Sequence, residues 1–384
     1  MKFSEMPYHR PDAEALFGAI DALCDKLDKA KSADEQYACY LELEKHTIEV
    51  GTLSSIAYVR NTIDTRDPFY EKERAFFDEI SPLLNEKILN FGKKLCTSPY
   101  RKELEGKLSP LWFYNMELQL KGFSPEIIPL MQEEAKLEAS YQKLYASAQI
   151  DFDGKKCTIP QLAAYKQNPD RSVRKAAYEA EGAFFDAHRE ELDDIYDKLV
   201  KNRTQQAKKL GFETYVPLGY IRMGRNCYGP DGVANFRRQV LSDLVPLVDK
   251  VKAAQAKRIG LTGDFKFYDD LFTFKDGNAV PQGTPEELLA SAKKMYTEMS
   301  PETAEFIKVM FDNELFDVLS KEGKAAGGYC TDFPLYGYPF IFSNFNGTSG
   351  DVDVLTHEAG HAFAFYTANK EIPLSDLRSP SLEA

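Results

Sequence analysis

The eight-residue stretch Thr356–Phe363 constrains the fold of this chain most. It reads Thr-His-Glu-Ala-Gly-His-Ala-Phe, with histidines at positions 357 and 361. On an α-helix, positions i and i+4 lie about one turn apart on one face, so both imidazoles would point the same way. Two neutral imidazoles at this spacing can hold one zinc ion at ~2.0–2.1 Å. The stretch therefore predicts a helix with His357 and His361 as metal ligands.

Glu358 completes the pattern H-E-x-x-H. It lies one step round the helix from His357, where its carboxylate could take a proton from a zinc-bound water and pass it to a leaving amine. The alternative is a surface helix with two solvated histidines. The flanking residues favour the metal site, because they are apolar around much of the helix and predict that it is buried. Burying two histidines and a carboxylate costs free energy unless they have partners, and a bound metal ion would be such a partner. These flanking residues are Val352, Val354, Leu355, Ala359, Ala362, Phe363 and Phe365.

The composition narrows the class of protein. A chain of 384 residues can bury a large core and would normally form two lobes or domains. Its net charge of −12, with no tract rich in Lys or Arg, argues against a nucleic-acid partner. No apolar run approaches the ~18–20 residues of a membrane span, and the start lacks the apolar region of a secretory signal. The six cysteines form no C-x-x-C pair, which predicts reduced thiols in a cytoplasmic protein.

Most of the chain has the periodicity of amphipathic helices. Helix starts are indicated at Asp67-Pro68, Ser109-Pro110 and Ser124-Pro125, where a capping residue precedes a proline. A small β-hairpin is predicted over residues 150–159, around an Asp-Gly pair. Helix is predicted to resume at Ile159-Pro160, and long helices are predicted over 170–210 and 230–259. Two further helices open at Thr284-Pro285 and Ser300-Pro301.

Short strands are predicted just before the histidine helix. Aromatic and β-branched residues alternate with glycines from Gly327 to Gly347. The free edge of such a strand could pair with an extended peptide and hold the bond to be cleaved over the metal. The alternative is a hairpin that only covers the core. Under the first interpretation, the candidate substrate-binding residues are Ser343, Asn344, Phe345, Asn346 and Gly347.

These motifs together resemble a known family. The runs Phe340–Thr348, Val352–Leu355 and His357–Ala362 are similar to the oligoendopeptidase F branch of the thimet-oligopeptidase superfamily. The helical N-terminal half with its hairpin, and the run Arg203–Phe212, fit the same branch. The resemblance implies a mainly α, zincin-type fold whose helical lobes surround a channel, with a small β-sheet beside the H-E-x-x-H helix. It divides the chain into an N-terminal helical lobe, 1–200, and the front part of a catalytic domain, 201–384.

The resemblance also implies an activity. It is the zinc-dependent cleavage of internal bonds in short unfolded peptides, with His357 and His361 as zinc ligands and Glu358 as general base. In the family, the third ligand is a Glu on a following helix, and its expected position falls just beyond Ala384. The acids available downstream are Glu371, Asp376 and Glu383, of which Glu383 comes nearest to that position. The chain is therefore interpreted as the N-terminal two thirds of a peptidase.

Two other functions remain open at this point. One is a metal-free helical scaffold that binds peptides without cleaving them, although a pure binder has no need of Glu358 beside two ligands. The other is a different H-E-x-x-H hydrolase, such as an exopeptidase, which only the dependence on substrate length and chain ends would distinguish. In each case the expected partners are short peptides.

Overall fold

The computed structural model describes residues 1–370, and this part of the chain is mainly helical, as predicted. Its α-helices are α1 Ala13–Lys29, α2 Ala33–Ile63, α3 Pro68–Cys96, α4 Arg101–Leu108, α5 Pro110–Lys121, α6 Ile128–Ala146, α7 Arg171–Ala187, α8 Arg189–Lys209, α9 Tyr215–Arg222, α10 Pro230–Gln239, α11 Val245–Arg258, α12 Pro285–Met299, α13 Pro301–Asp312 and α14 Gly350–Ala368. Its strands are β1 Ile150–Phe152, β2 Lys155–Cys157, β3 Phe316–Leu319, β4 Tyr329–Phe333 and β5 Tyr338–Phe345. No helix in residues 1–370 is long and apolar enough to cross a membrane.

Local sequence signals fix most of the helix starts. The Asp67 side chain accepts hydrogen bonds from the second and third backbone N–H groups of α3, and the Ser109 hydroxyl accepts one from Trp112 at 3.2 Å. Thr284 caps α12 in the same way, and Ser300 caps α13. These bonds satisfy N–H groups that have no partner inside the helix, so each start is determined within a few residues of sequence.

Three predicted helices differ from the structure. The segment 170–210 forms two helices, because the chain leaves helical geometry at His188. This break lets Phe184 and Phe185 on α7 pack against the β1–β2 hairpin while α8 packs on α6. The segment 230–259 is interrupted by a π-helical turn, Val240–Leu244. The helix predicted to start after Ile159 is replaced by two short 3-10 turns, Pro160–Ala163 and Tyr165–Gln167. The proposed lobe boundary at residue 200 falls inside α8, and the division into two lobes stays a prediction.

The larger sheet has three strands in the order β3-β5-β4. Strand β3 is parallel to β5, and β4 is antiparallel to it, so β5 is central, paired with β4 over 338–342 and with β3 over 341–345. Tyr329 of β4 contacts α2, since its hydroxyl lies 2.6 Å from the Thr62 hydroxyl. A Cβ on Gly328 would lie 2.9 Å from Val354 of α14. Because neighbouring residues of a strand face opposite sides, α2 and α14 cover opposite faces of the sheet.

Candidate active site

His357 and His361 meet on α14, as predicted. Their Nε2 atoms are 3.1 Å apart, and the rings are nearly perpendicular, at 84°. Two ligands at ~2.0–2.1 Å from a tetrahedral zinc ion would be about 3.3 Å apart, so the pair fits a shared metal with little movement. His357 is exposed and His361 half-buried. The prediction of a buried helix therefore holds for one side only, the side of Leu355, Ala359 and Ala362.

Glu358 is buried beside the histidines and against the sheet. Its side chain reaches the loop before β4, where a Cβ on Gly328 would be 3.8 Å from its Oε1 atom. Burial raises the pKa of Glu358, and the two histidines and the backbone N–H of Cys330 oppose this by favouring the charged carboxylate. A carboxylate with a raised pKa between a metal-ligand pair and a strand is suited to accept and return a proton.

The turn between β5 and α14 is fixed by Asp351. Its buried carboxylate accepts hydrogen bonds from the backbone N–H groups of Asn346 at 2.9 Å and Gly347 at 2.8 Å. The Asn346 side-chain oxygen in turn accepts bonds from the N–H and hydroxyl of Thr348. Gly347 has a φ of +85°, a conformation that favours glycine. These contacts set the direction in which α14 leaves the sheet and hence the position of the histidines.

The free edge predicted for the strands before α14 does not lie on β5, because β5 is the central strand of the sheet. Ser343 is buried, and its C=O accepts a bond from Lys324 Nζ at 2.5 Å. The Asn344 side chain donates to the backbone oxygens of Ala325 and Gly327, and Phe345 is buried in the core. With the turn contacts of Asn346 and Gly347, the stretch 343–347 holds the sheet, loop and helix together. Its predicted contact with substrate remains untested.

The edge beside Glu358 belongs to β4. The backbone N–H of Ile341 in β5 donates to Leu315 at 3.1 Å, on the far side from β4, and Pro339 has no N–H. Their partners in the register are Cys330 and Asp332. In an antiparallel pair, residues that do not bond to each other direct their N–H and C=O groups away from the partner strand. The backbone groups of Cys330 and Asp332 therefore point away from β5, along the edge next to Glu358.

The thiol of Cys330 is not a nucleophile here. Burial, with a smaller contribution from the charge of Glu358, raises the pKa of Cys330 to about 12, so the thiolate is scarce at neutral pH. All six cysteines are unpaired in the structure. The sequence predicted strands here but did not assign the open edge to β4. Its signal was Gly327-Gly328 directly before a strand, since only a residue without Cβ lets the backbone approach Val354 and Glu358 this closely.

A third metal ligand is not found in the described part of the chain. Within residues 1–370, no group of three or more His, Cys, Asp or Glu side chains is arranged to hold a metal ion. The downstream candidates Glu371, Asp376 and Glu383 all lie outside the described residues.

Comparison with known families decides the relationship. Residues 164–382 match the family described as "Peptidase family M3", and residues 3–123 match its N-terminal domain. The chain belongs to peptidase family M3. The resemblance to oligoendopeptidase F predicted from the sequence is thus confirmed at the level of this family, and it is supported by the solved structures below. A comparison with curated proteins gave no match.

Three solved structures of this family superpose closely on the chain. PZ peptidase A, solved with an inhibitor, is 46% identical with a TM-score of 0.95 over 96% of this chain and 65% of that one. A protein described as an oligoendopeptidase F is 44% identical with a TM-score of 0.95, over 97% and 66% of the two chains. A second, from Bacillus anthracis str. Ames, is 44% identical with a TM-score of 0.94, over 96% and 68%. The present M3 chain thus spans about two thirds of the length of these relatives.

Proposed function

We propose that this chain is the metal-binding part of a zinc-dependent oligoendopeptidase that cleaves internal bonds of short unfolded peptides. One observation carries the proposal. The two Nε2 atoms of His357 and His361 converge to 3.1 Å, and the buried carboxylate of Glu358 lies next to them, against the edge of β4. Membership of peptidase family M3 supports the same reading.

In the proposed mechanism, the zinc ligands, Glu358 and the edge of β4 have separate roles. When bound, zinc would polarise the carbonyl of the scissile bond and make an attacking water more acidic. Glu358 would take the proton of that water and then give it to the leaving amine, so the carboxylate is regenerated. The outward C=O group of Cys330 and the outward backbone groups of Asp332 would pair with an extended peptide and hold its backbone in register with Glu358.

The remaining parts of the proposal concern the whole protein. Two histidines alone form a weak zinc site compared with three protein ligands and a water, so a third ligand is needed. We expect it just beyond Ala384, and Glu383 is a weak candidate within this chain. We also propose that the two helical lobes, 1–200 and 201–384, surround a channel that admits short peptides, and that the protein acts in the cytoplasm.

The first experiment titrates Zn²⁺ into the metal-free chain by isothermal titration calorimetry. The wild type should bind one zinc, weakly if the third ligand lies beyond Ala384, and His357→Ala and His361→Ala should each lose binding, because each removes one of two visible ligands. Glu358→Gln is the matched control and should keep the affinity, since its side chain is not a ligand. Zinc binding that survives both histidine changes would overturn the proposed metal site.

A cleavage assay then tests the chemistry. Internally quenched peptides are incubated with the zinc-loaded chain and with its Glu358→Gln variant. Cleavage that Glu358→Gln abolishes without loss of zinc would support Glu358 as the base, and retained turnover would remove it from the mechanism. Peptide binding without zinc binding would favour the metal-free scaffold. Cleavage confined to bonds at free chain ends would favour the exopeptidase.

A further inference from the structure

A polar pocket lies on the other face of β4 from Glu358. It has a volume of about 240 Å³, enough for several water molecules or for a substrate side chain in their place. It lies between α2, α3 and β4. Six of the side chains that line it carry polar groups used in the argument below: Ser54, Ser55, Tyr58, Arg74, Asp78 and Thr331.

Arg74 contacts Tyr58 and Asp78 in this pocket and keeps most of its donors free. Its guanidinium lies 4.6 Å from the centre of the Tyr58 ring, and its Nε donates one long hydrogen bond of 3.3 Å to Asp78. The Arg74 and Asp78 side chains are only 17% and 15% exposed. Among residues 1–370, the two terminal Nη groups of Arg74 have no hydrogen-bond partner. A planar guanidinium with both Nη groups free matches the geometry of a carboxylate.

The pocket faces the path that a bound peptide would take. Thr331 follows Cys330 in β4, so its side chain lies on the α2 face, as does that of Tyr329, whose ring is 5.5 Å from that of Tyr58. A peptide paired with the edge of β4 alternates its side chains between the same two faces. The peptide residue facing Cys330 would direct its side chain to the Glu358 face, and its neighbours would direct theirs toward the pocket.

We propose that this polar pocket binds a carboxylate of the peptide substrate through the free Nη groups of Arg74, close to the scissile bond. The carboxylate belongs either to an acidic side chain or to the C-terminus of the peptide. The hydroxyl groups of Ser54, Ser55 and Thr331 are further donors at the pocket wall. The inference rests on the proposed function, since it assumes that peptides bind along β4.

Asp78 lies beside Arg74 and weakens the preference of the pocket for a carboxylate. Its carboxylate opposes an incoming anion, and burial raises the pKa of Asp78 because it weakens the hydration of the charge. The matched substitution Asp78→Asn removes the opposing charge and keeps the shape of the side chain. It should therefore strengthen the binding of a carboxylate, whereas Arg74→Gln should weaken it.

The test uses fluorescence anisotropy with the Glu358→Gln chain, so that no labelled peptide is cleaved. Peptides are compared in pairs that differ by one carboxylate, either Glu against Gln at one internal position or a C-terminal acid against its amide. A charge-assisted pair in a partly buried site predicts roughly a 10-fold tighter binding of the acid member. The kind of pair that shows the preference tells whether the pocket receives a side chain or a chain end.

Variants of the pocket complete the test. Arg74→Gln should bring the two members of a pair to nearly equal affinity, and Asp78→Asn should widen the difference. If Arg74→Gln does not fold, judged by circular dichroism, the neutral double variant Arg74→Gln/Asp78→Asn takes its place. Equal binding of both members by the parent chain, or a preference that survives the loss of Arg74, would overturn the inference while leaving the proposed function intact. Failure of every peptide to bind would count against both.

Discussion

Lys324 joins β3 to β5 in the small sheet, and its removal tests how that sheet is held together. Its side chain is fully buried. The Nζ atom donates to the Asp317 carboxylate at 2.5 Å and to the backbone oxygens of Leu319 at 2.9 Å and Ser343 at 2.5 Å. These acceptors lie on β3, at its irregular pairing with β5, and on β5 itself. Lys324 thus replaces ladder hydrogen bonds that the irregularity interrupts.

Lys324→Met should lower the free energy of unfolding by about 3 kcal/mol at pH 7. Removing one partner of a buried ion pair costs ~3–5 kcal/mol, because the other charge loses its counter-ion. The Asp317 side chain is 23% exposed, so water can replace part of what it loses, which places the cost at the lower end of that range. Lys321→Met is the matched control. Its ammonium lies 3.6 Å from the same carboxylate but is 48% exposed, and its loss should cost less than ~1 kcal/mol.

The deficit of Lys324→Met should also grow with pH. Burial, the largest cause, lowers the pKa of Lys324 to about 8, although Asp317 opposes this. Between pH 8 and ~10.4, the unfolded chain still binds the proton that the folded chain has released, so the wild type gains stability as pH rises. From pH 7 to pH 9 this gain is about 1.3 kcal/mol. The variant lacks it, so its deficit should reach about 4 kcal/mol at pH 9.

Urea unfolding followed by circular dichroism at pH 7 and pH 9 gives the free energy of unfolding of the whole chain. A chain of this size need not unfold in one step, so hydrogen–deuterium exchange of peptides from β3 and β5 is used to measure the local stability of the sheet. Equal stability and equal exchange in Lys324→Met and the wild type would refute the role given to Lys324. A deficit that does not change between the two pH values would refute the lowered pKa.

The remaining predictions concern the helix that carries the histidines. Asp351→Ala should lower the free energy of unfolding by ~1–3 kcal/mol in thermal melts and weaken zinc binding, because two backbone N–H groups of the β5–α14 turn lose their acceptor. Asp351→Asn keeps one acceptor and should cost less, so equal loss in both variants would contradict this explanation. Gly328→Ala should cost ~1–3 kcal/mol in the same melts, because its methyl group would lie 2.9 Å from Val354. Gly360→Ala is the control on α14, where nothing lies within 4 Å, and it should stabilise the chain by ~0.5–1 kcal/mol. If both alanine variants behave alike, the close approach at Gly328 is not a constraint.

Short-range signals in the sequence were sufficient for much of the fold. Asp67 and Ser109 cap helices where the sequence predicted starts, and the hairpin turn lies at Asp153-Gly154, both with positive φ. The predictions failed where contacts between elements far apart in sequence determine the local structure. The segment 170–210 is helical by periodicity throughout, but packing on the hairpin and on α6 divides it at His188. Likewise, β3 was not predicted, because its four residues become a strand only by pairing with β5, more than twenty residues later.

The sequence by itself determined the pair of histidines and the base between them, because the spacing of H-E-x-x-H and the geometry of one helical turn are both local. Which strand borders that site was decided only by the tertiary structure. Strand β5 lies nearest in sequence, but β3 and β4 occupy both its edges, and so the open edge beside Glu358 is that of β4. The pocket around Arg74 is also a tertiary feature, since it joins α2, α3 and β4 across more than 250 residues. Strand order and the meeting of distant elements depend on pairing and burial over the whole chain, which no local pattern records.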